Sequence, residues 1–507
     1  MTAPALTVDA KGLGQAAPPE RCIVVIFGAK GDLTRRELLP SLYELAREDL
    51  LPRDFALVGF SRGDWDDDRF RAAMREAVRA ECDFDEAAWC KFAACLWFIP
   101  GDITSPVEGD YAKLRAKLAA LSGDGQVPDN VLFHLAVPPD HFGTIIERLD
   151  AAGLARSEHG WRRLLIEKPF GRDRGTALEL DRGMRQVFTE DQIYRIDHFL
   201  GKETVQNMLV VRFANPSFEP IWNRNYIDHV EITVAEDIGI GTRAGFYEST
   251  GVVRDMVQNH LLQLLCMVAI EPPVRFDGDA LRDETVKVLR SVQPVDAARD
   301  VVLGQYGPGT VNGKPLQGYR QEANVAHGSV TPTYAALRLA VSNWRWAGVP
   351  FYLRTGKRLG RQLAEIAIQF KPTPHLMFPV RGAPLDANQL VFRLQPDEGI
   401  IQTFSAKQPG PGMSMSRVRS TFSYTSAFGI ETLPRAYAWL LLDAMLGDQT
   451  LFARSDWIFG AWSIVDPISQ YWDAKRPEDF PNYSAGTSGP DAAAFLLARD
   501  GRAWNKV

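Results

Sequence analysis

The sequence predicts an α/β, Rossmann-type doubly wound domain over residues 21–200, followed by a larger β+α domain with a mainly antiparallel sheet over residues 201–507. Three observations lead to this fold class. A chain of 507 residues is longer than one hydrophobic core ordinarily supports. Its first part alternates short apolar runs with helical patterns, which is typical of a parallel sheet. Its second part contains successive strands of alternating polar and apolar residues with few helices between them, which favours an antiparallel sheet.

The first twenty residues are rich in Ala, Pro and Gly and are expected to form a disordered tail. Five apolar runs after it, bounded by Gly, Pro or Asp, are predicted strands: 21–28, 55–60, 96–102, 130–139 and 162–171. Segments 34–49 and 66–83 place their apolar residues at helical spacing. Ligands of such a sheet bind at the carboxyl ends of its strands.

The second part begins with the alternating strand 229–237. Further strands are predicted at 363–370, 389–407 and 420–426. Helices at 250–270 and 434–450 are expected to cover one face of the resulting sheet.

Composition excludes several classes of function. The chain is 46% hydrophobic and 24% charged with a net charge of −6, as in globular proteins. No apolar run approaches the roughly 18 residues that span a bilayer, so no membrane partner is expected. No Lys/Arg-rich block is present, so nucleic acid is not an expected partner. The five cysteines form no CxxC pair and the N-terminus has no secretory pattern, which indicates a cytoplasmic protein without a zinc site or disulfide framework.

The stretch "IFGAKGDLTRR" follows the first predicted strand and opens a helix. Gly28 and Gly31 let backbone amides approach a pyrophosphate, which would rest on the positive end of the helix. The other residues of the turn, Lys30, Asp32 and Leu33, are predicted to contact the same cofactor. The spacing departs from G-x-G-x-x-G, so an ordinary tight connection is the alternative.

The end of the second predicted strand indicates which dinucleotide binds. An acidic residue there suits the ribose 2′-hydroxyl of NAD, whereas an Arg suits the 2′-phosphate of NADP. This strand ends in Ser61 and Arg62, and Arg35 and Arg36 lie just inside the first helix. The sequence therefore favours NADP and leaves use of NAD as well open. The alternative is that these arginines are solvated surface residues.

Several ordered blocks resemble the glucose-6-phosphate dehydrogenase family: "GAKGDLTRR", "LAVPP", "EKPFG", "RIDHFLGKE", "VVRDMVQNHLLQLL", "FYLRTGKRL" and "LLLDAMLGDQTLF". They extend from about residue 23 to about residue 470, and "RIDHFLGKE" is similar to the specific family signature. The resemblance implies oxidation of glucose 6-phosphate at C1 to the 6-phosphoglucono-lactone with a nicotinamide cofactor and no metal. It also implies a homodimer or homotetramer assembled through the large sheet.

Oxidation of an alcohol by hydride transfer needs a base for the hydroxyl proton. The resemblance assigns that role to His260 and the orienting carboxylate to Asp197. Without the resemblance, the more frequent interpretation of a lone His in an apolar helix is a hydrogen-bonded core residue. In an α-helix, Asp255 and His260 lie about 140° apart, so the orienting carboxylate is expected from another segment.

The resemblance assigns the sugar phosphate to His198, Lys202 and Lys357. If the chain turns helical after Asp197, His198 and Lys202 lie on one side and converge on the phosphate. Where most relatives have Tyr after this His, the chain has Phe199. Loss of that hydroxyl predicts a roughly ten- to hundredfold lower affinity for the substrate.

Three further residues are implied to bind the sugar. Lys168, in "EKPFG", resembles a residue that contacts both sugar and coenzyme, and Asp255 and Glu236 resemble carboxylates for sugar hydroxyls. The alternatives are a solvated Lys at a strand end and solvated or helix-capping acids. Related sugar dehydrogenases also carry E-K-P, so this block identifies a superfamily.

Two competing functions remain open from the sequence. One is a nicotinamide-dependent enzyme acting on unphosphorylated sugars, such as a glucose–fructose oxidoreductase or an inositol dehydrogenase, which would not need the phosphate-binding residues. The other is a non-catalytic protein that senses the same ligands, against which the presence of both Asp197 and His260 argues.

Overall fold

The computed structural model describes residues 18–122, 128–311, 313–378, 387–430 and 432–506. The expected N-terminal tail therefore lies almost entirely outside the described residues. Two large sheets dominate, one in each part of the chain, and a continuous cluster of buried apolar side chains runs through both. Of the helices in these ranges, none is both long and apolar enough to cross a membrane.

The first sheet has six strands in the spatial order β3-β2-β1-β4-β5-β6, and every neighbouring pair is parallel. The strands are β1 Ile23–Phe27, β2 Ala56–Ser61, β3 Leu96–Pro100, β4 Val131–Leu135, β5 Arg162–Ile166 and β6 Ile193–Arg195. The strand order reverses between β1 and β4, and dinucleotides bind at such a switch point. The predicted Rossmann-type sheet is confirmed.

Helices cover both faces of this parallel sheet, as the buried strands require. All five residues of β1 are buried, which matches the continuous apolar run typical of a central parallel strand. The helices are Leu39–Arg47, Asp67–Glu81, Glu86–Ala93, Ala112–Ser122, Phe142–Ala151 and Arg174–Arg185. In the second of them, Phe70, Met74 and Val78 recur every four residues and form its buried face.

Strand β6 was not predicted from the sequence, because three residues are too few to show a pattern. It pairs with β5 at the edge of the sheet. The chain leaves β6 at Arg195 and immediately presents Asp197 and His198 at the carboxyl edge. This short strand therefore positions the signature stretch.

The second sheet has eight strands. In spatial order they are Met415–Ser423, Gly399–Lys407, Gln389–Gln395, Leu363–Phe370, Ile227–Ala235, Pro350–Gly356, Tyr334–Ala340 and Val301–Gly304. All neighbours are antiparallel except Ile227–Ala235 with Pro350–Gly356, which are parallel. The prediction of a mainly antiparallel second sheet is confirmed.

Two predicted strands of this sheet differ from the structure. Segment 389–407 is a hairpin of two strands, since Pro396 and Asp397 (φ +54°) make a turn inside it. Segment 420–426 is a strand only as far as Ser423, and a short helix Tyr424–Phe428 follows. In the first segment the turn interrupts a pattern that alternates on each side of it.

Besides the short helix Tyr424–Phe428, the α-helices of the second part are Glu203–Phe213, Ala244–Val252, Leu262–Ala269, Gly278–Ser291, Ala297–Asp300, Ala436–Leu446, Ser455–Lys475 and Asp491–Ala498. The predicted helix 434–450 is thus Ala436–Leu446, which ends before Gly447 in the left-handed region. The predicted helix 250–270 is not one α-helix. Its central segment, Val253–Leu261, is π-helical, and the amide of Leu262 donates to the carbonyl of Val257, five residues back.

Candidate active site

Asp197 and His260 meet in the interior, although they are far apart in the sequence. The Nδ1 atom of His260 lies 2.6 Å from Oδ1 of Asp197. Both residues are buried: 1% of the surface of His260 and 3% of the surface of Asp197 is exposed. The amide of Phe199 also donates to Asp197 Oδ1, at 3.0 Å. The carboxylate therefore holds the imidazole by one nitrogen and leaves Nε2 as its other proton-binding site.

Electrostatics keep this pair in the ionisation states that a general base requires. Burial opposes ionisation of Asp197, but the charge and hydrogen bond of His260 prevail and lower its pKa to about 2. Burial lowers the pKa of His260, Asp197 opposes that effect, and the ammonium of Lys168 adds to the lowering. The imidazole is therefore neutral at pH 7 and able to accept a proton.

The π-helical segment corrects the geometry expected for Asp255 and His260. In an i→i+5 hydrogen-bonded helix, residues five apart lie one turn from each other. The two side chains thus come to one side of the helix, and the charge of Asp255 acts on His260. The expected separation of about 140° was wrong because it assumed α-helical winding. The conclusion drawn from it, that another segment orients His260, agrees with the Asp197 contact.

His198 packs against the His260 ring of the dyad. Its ring lies edge-on to that of His260, with centroids 4.6 Å apart. Burial, together with the charges of His260, Lys168 and Lys202, lowers the pKa of His198 well below its usual value. His198 is therefore a neutral hydrogen-bond donor, and positive charge at this end of the site comes from the lysines.

Lys202 does not share a helix with His198. Residues 198–201 form turns, Lys202 is extended (φ −74°, ψ 131°), and the helix begins at Glu203. Lys202 still acts electrostatically on His198, so the turn brings the two groups together without helical spacing. The Phe199 ring lies 5.6 Å from the Lys202 ammonium and 4.5 Å from the His260 ring. Phe199 thus packs against the base, close to the ammonium.

Lys168 links the end of β5 to the π-helical segment. Its Nζ lies 2.9 Å from Oδ1 of Asp255 and 3.1 Å from the Asp255 carbonyl oxygen. Burial opposes ionisation of Asp255, but Lys168 and Lys357 lower its pKa far below the usual range. A fixed anion and a fixed cation therefore stand beside His260.

Lys357 pairs with Glu236. Its Nζ lies 2.6 Å from Glu236 Oε2, and 5.3 Å from the ring centroid of Tyr247. The charge of Lys357 also helps to lower the pKa of Asp255. The geometry therefore groups Lys357 with the carboxylates Glu236 and Asp255.

The glycine turn fits a bound pyrophosphate. Gly28 has φ +88°, and a Cβ atom there would collide with the carbonyl of Ala136, so only glycine fits. The Gly31 amide and the Thr34 hydroxyl both donate to the Gly28 carbonyl, which closes the turn. Asp32 forms an exposed ion pair with Arg36, and Leu33 is partly buried. A π-helical turn, Thr34–Leu38, follows and leads into the helix Leu39–Arg47, and the N-terminus of this helical stretch offers unpaired amides to an anion.

A cluster of cations surrounds Trp65 at the end of β2. The Lys30 ammonium lies 4.4 Å from the indole centroid and donates to the Arg62 carbonyl at 3.2 Å. Arg35 lies 5.8 Å from the same ring. Trp65 is a residue that sequence reasoning missed, although it stands three positions after Arg62. The cluster provides positive charge and an aromatic face where the ribose end of a dinucleotide is expected.

Potential ligand atoms of Asp197, His198 and His260 all lie within 4.8 Å of one another. This spacing alone would suit a metal ion. However, Asp197 and His260 already bind each other at hydrogen-bonding distance. The metal-independent chemistry expected from the sequence stays a prediction.

A dinucleotide-binding sheet joined to a buried imidazole–carboxylate pair and fixed ammonium groups defines an NAD(P)-dependent oxidoreductase. Family models match nearly all of the chain: the glucose-6-phosphate dehydrogenase NAD binding domain over residues 25–207 and the C-terminal domain over residues 209–505. The chain therefore belongs to the glucose-6-phosphate dehydrogenase family.

Relatives and solved structures agree with this family. The chain is 47% identical to a glucose-6-phosphate 1-dehydrogenase of Aggregatibacter actinomycetemcomitans, over 96% of this chain and 98% of the relative. It is 43% identical to that of Chlamydia pneumoniae, over 99% of each. A structure of glucose-6-phosphate dehydrogenase in complex with its substrate glucose-6-phosphate matches with a TM-score of 0.88 at 33% identity, covering 97% of this chain and all of the other. A structure from Mycobacterium avium matches with a TM-score of 0.79 at 37% identity, covering 96% and 99%.

Proposed function

We propose that this chain oxidises D-glucose 6-phosphate at C1 to 6-phospho-D-glucono-1,5-lactone with hydride transfer to NADP, the first step of the oxidative pentose phosphate pathway. The observation that carries the proposal is the buried contact of 2.6 Å between His260 and Asp197, beside Lys168, His198 and Lys202. A base next to fixed cations suits an anionic sugar whose hydroxyl must lose a proton.

Each residue of the site has a separate role in the proposed reaction. Nε2 of His260 takes the C1 hydroxyl proton, and Asp197 stabilises the imidazolium that forms. As that proton leaves, the electron pair of the O–H bond forms the lactone carbonyl, and the C1–H bond breaks with its electron pair leaving as hydride to the coenzyme. His198 and Lys202 hold the phosphate, while Lys168, Glu236, Asp255 and Lys357 hold the sugar. For Lys357, which the resemblance assigns to the phosphate, the 2.6 Å contact to Glu236 supports a role at the sugar as well.

The proposed cofactor is NADP, which when bound accepts the hydride, and use of NAD as well remains open. The residues proposed to hold it are Gly28, Lys30, Gly31, Asp32, Leu33, Arg62 and Lys168. The Lys30 ammonium and the Arg35 guanidinium, 4.4 Å and 5.8 Å from the centroid of the Trp65 ring, support a 2′-phosphate site next to Arg62, because cations there compensate a dianion.

Initial rates of nicotinamide reduction test the proposed function. We expect fast turnover of glucose 6-phosphate and at least about a hundredfold lower kcat/KM for glucose, because the phosphate contacts are lost. A chelator such as EDTA is expected to leave the rate unchanged. Comparable rates with glucose would favour an enzyme for unphosphorylated sugars, and no reduction with either would favour a ligand sensor.

Replacing Arg62 with Ala tests the coenzyme assignment. We expect the KM for NADP to rise about ten- to hundredfold while the KM for NAD changes little, because only NADP carries the 2′-phosphate that the guanidinium binds. Arg79→Ala is the matched control, since Arg79 is an arginine of the same domain that pairs with Glu86. An equal effect of Arg62→Ala on both coenzymes would refute the 2′-phosphate site.

The remaining assignments are also proposals. The five free cysteines support a cytoplasmic location. The outer strand Met415–Ser423, with most of its side chains exposed, supports a homodimer or homotetramer built on the large sheet. We propose the boundaries 21–200 for the NADP-binding domain and 201–507 for the substrate-binding and oligomerisation domain.

A further inference from the structure

Tyr437 connects parts of the active site that come from different regions of the sequence. It lies on the helix Ala436–Leu446 and is buried, with 7% of its surface exposed. Its hydroxyl donates to Oε2 of Glu167 at 3.1 Å. Its ring lies nearly parallel to that of His198, with an interplanar angle of 9° and centroids 6.2 Å apart. One side chain therefore contacts both the E-K-P step and the signature stretch.

Glu167 is held from two sides. Its second carboxylate oxygen, Oε1, lies 3.0 Å from Nε2 of His134, which is fully buried on β4. A carboxylate only accepts hydrogen bonds, so this network places the His134 proton on Nε2. Burial and the negative charge of Glu167 raise the pKa of Tyr437 well above its usual value. Tyr437 is therefore a permanent donor, and both carboxylate oxygens are fixed.

This carboxylate directly precedes Lys168 in the chain. A Glu167 side chain fixed by Tyr437 and His134 fixes the backbone from which Lys168 reaches Asp255. The ring of the same tyrosine limits the movement of His198, whose ring in turn lies against His260. A small displacement of such groups costs catalysis heavily, because reaction requires exact alignment of the reacting atoms.

We propose that Tyr437 is a positioning residue that sets Lys168 through its hydroxyl and His198 through its ring. The inference rests on the proposed function, since it concerns how the same site is held in its reactive geometry. The two contacts act through different atoms of one side chain, so substitutions can separate them. Tyr437→Phe removes the hydroxyl and keeps the ring, whereas Tyr437→Leu removes both.

A double-mutant cycle tests the hydroxyl contact. We expect Tyr437→Phe and Glu167→Gln each to lower kcat/KM about tenfold, with a rise in the KM for coenzyme as well as for sugar phosphate. The kcat/KM of the double variant is expected to be no lower than that of the less active single variant, because the two substitutions break the same interaction. Tyr437→Leu is expected to raise the KM for glucose 6-phosphate several-fold beyond Tyr437→Phe.

Tyr334→Phe is the matched control. The Tyr334 hydroxyl is buried and has no hydrogen-bond partner within the described part of the chain, so its loss is expected to leave kcat/KM unchanged. A merely structural role for Tyr437 would lower the melting temperature without changing kcat or KM of the folded enzyme. Fully additive single effects, or a Tyr437→Phe enzyme within twofold of the wild type, would overturn the proposal.

Failure of the proposal for Tyr437 can be distinguished from failure of the proposed function, because wild-type turnover of glucose 6-phosphate is measured first. If the wild type is active and the cycle shows no coupling, only the role of Tyr437 is refuted. If Glu167→Gln does not fold, the comparison of Tyr437→Phe with Tyr334→Phe decides alone, since both remove one buried hydroxyl.

Discussion

His260→Asn is expected to lower kcat about 10²–10⁴-fold, the range that a positioned general base contributes. The KM for glucose 6-phosphate should change little, because the amide keeps the approximate size of the side chain and the lysine contacts remain. Such a variant loses an interaction that matters in the transition state and not in the ground state. Steady-state kinetics with saturating coenzyme measure both constants.

The chain offers a closely matched control for this substitution. His229 is also a buried histidine bonded to a carboxylate at 2.6 Å, in this case Asp228, and it lies on the strand Ile227–Ala235. Asp228 in turn accepts hydrogen bonds from Arg502. His229→Asn should leave kcat unchanged even if it lowers the melting temperature. Equal kcat values for His260→Asn and the wild type would exclude His260 as the base.

The fold was predictable because its pattern is repeated along the chain. The buried parallel strands read as continuous apolar runs, and the helix Asp67–Glu81 shows its buried face at Phe70, Met74 and Val78. Exceptions occur where the signal is short or interrupted. Strand β6 has three residues, and the turn at Pro396 and Asp397 divides a segment that alternates on both sides.

The family resemblance predicted the contact between Asp197 and His260 from two distant segments, but the residues alone predicted the candidate site only where one stretch of sequence carries the whole arrangement. "RIDHFLGKE" holds Asp197, His198 and Lys202, and local turns are enough to bring His198 and Lys202 together. The π-helical winding around His260 has no sequence signature, so the relation between Asp255 and His260 was misjudged. Tyr437 was missed as a site residue for a different reason. Its contact with Glu167 joins residues 270 positions apart, and such pairings depend on how the two parts pack.

Asp197→Asn is expected to lower kcat about 10–150-fold. The carboxylate accepts a hydrogen bond from His260 and stabilises the imidazolium that forms during the reaction. A hydrogen bond to a charged group is worth about 1.5–3 kcal/mol, which corresponds to that range in rate. An amide can also donate to Nδ1, and this favours the tautomer whose Nε2 is already protonated and cannot act as a base.

The same substitution is expected to move the pH profile in a defined direction. The charge of Asp197 raises the pKa of His260 against the larger lowering effect of burial. Removing that charge lowers the pKa further, so the acid limb of kcat/KM should shift to lower pH while the plateau falls. The profile is measured between pH 5 and 9 for the wild type and Asp197→Asn, with the ionisation of the substrate phosphate determined separately by ³¹P NMR. Asp228→Asn, which alters the other histidine–carboxylate pair, should shift nothing. An acid limb that stays in place in Asp197→Asn would mean that His260 does not titrate in this step, and a shift to higher pH would contradict the expected effect of the Asp197 charge.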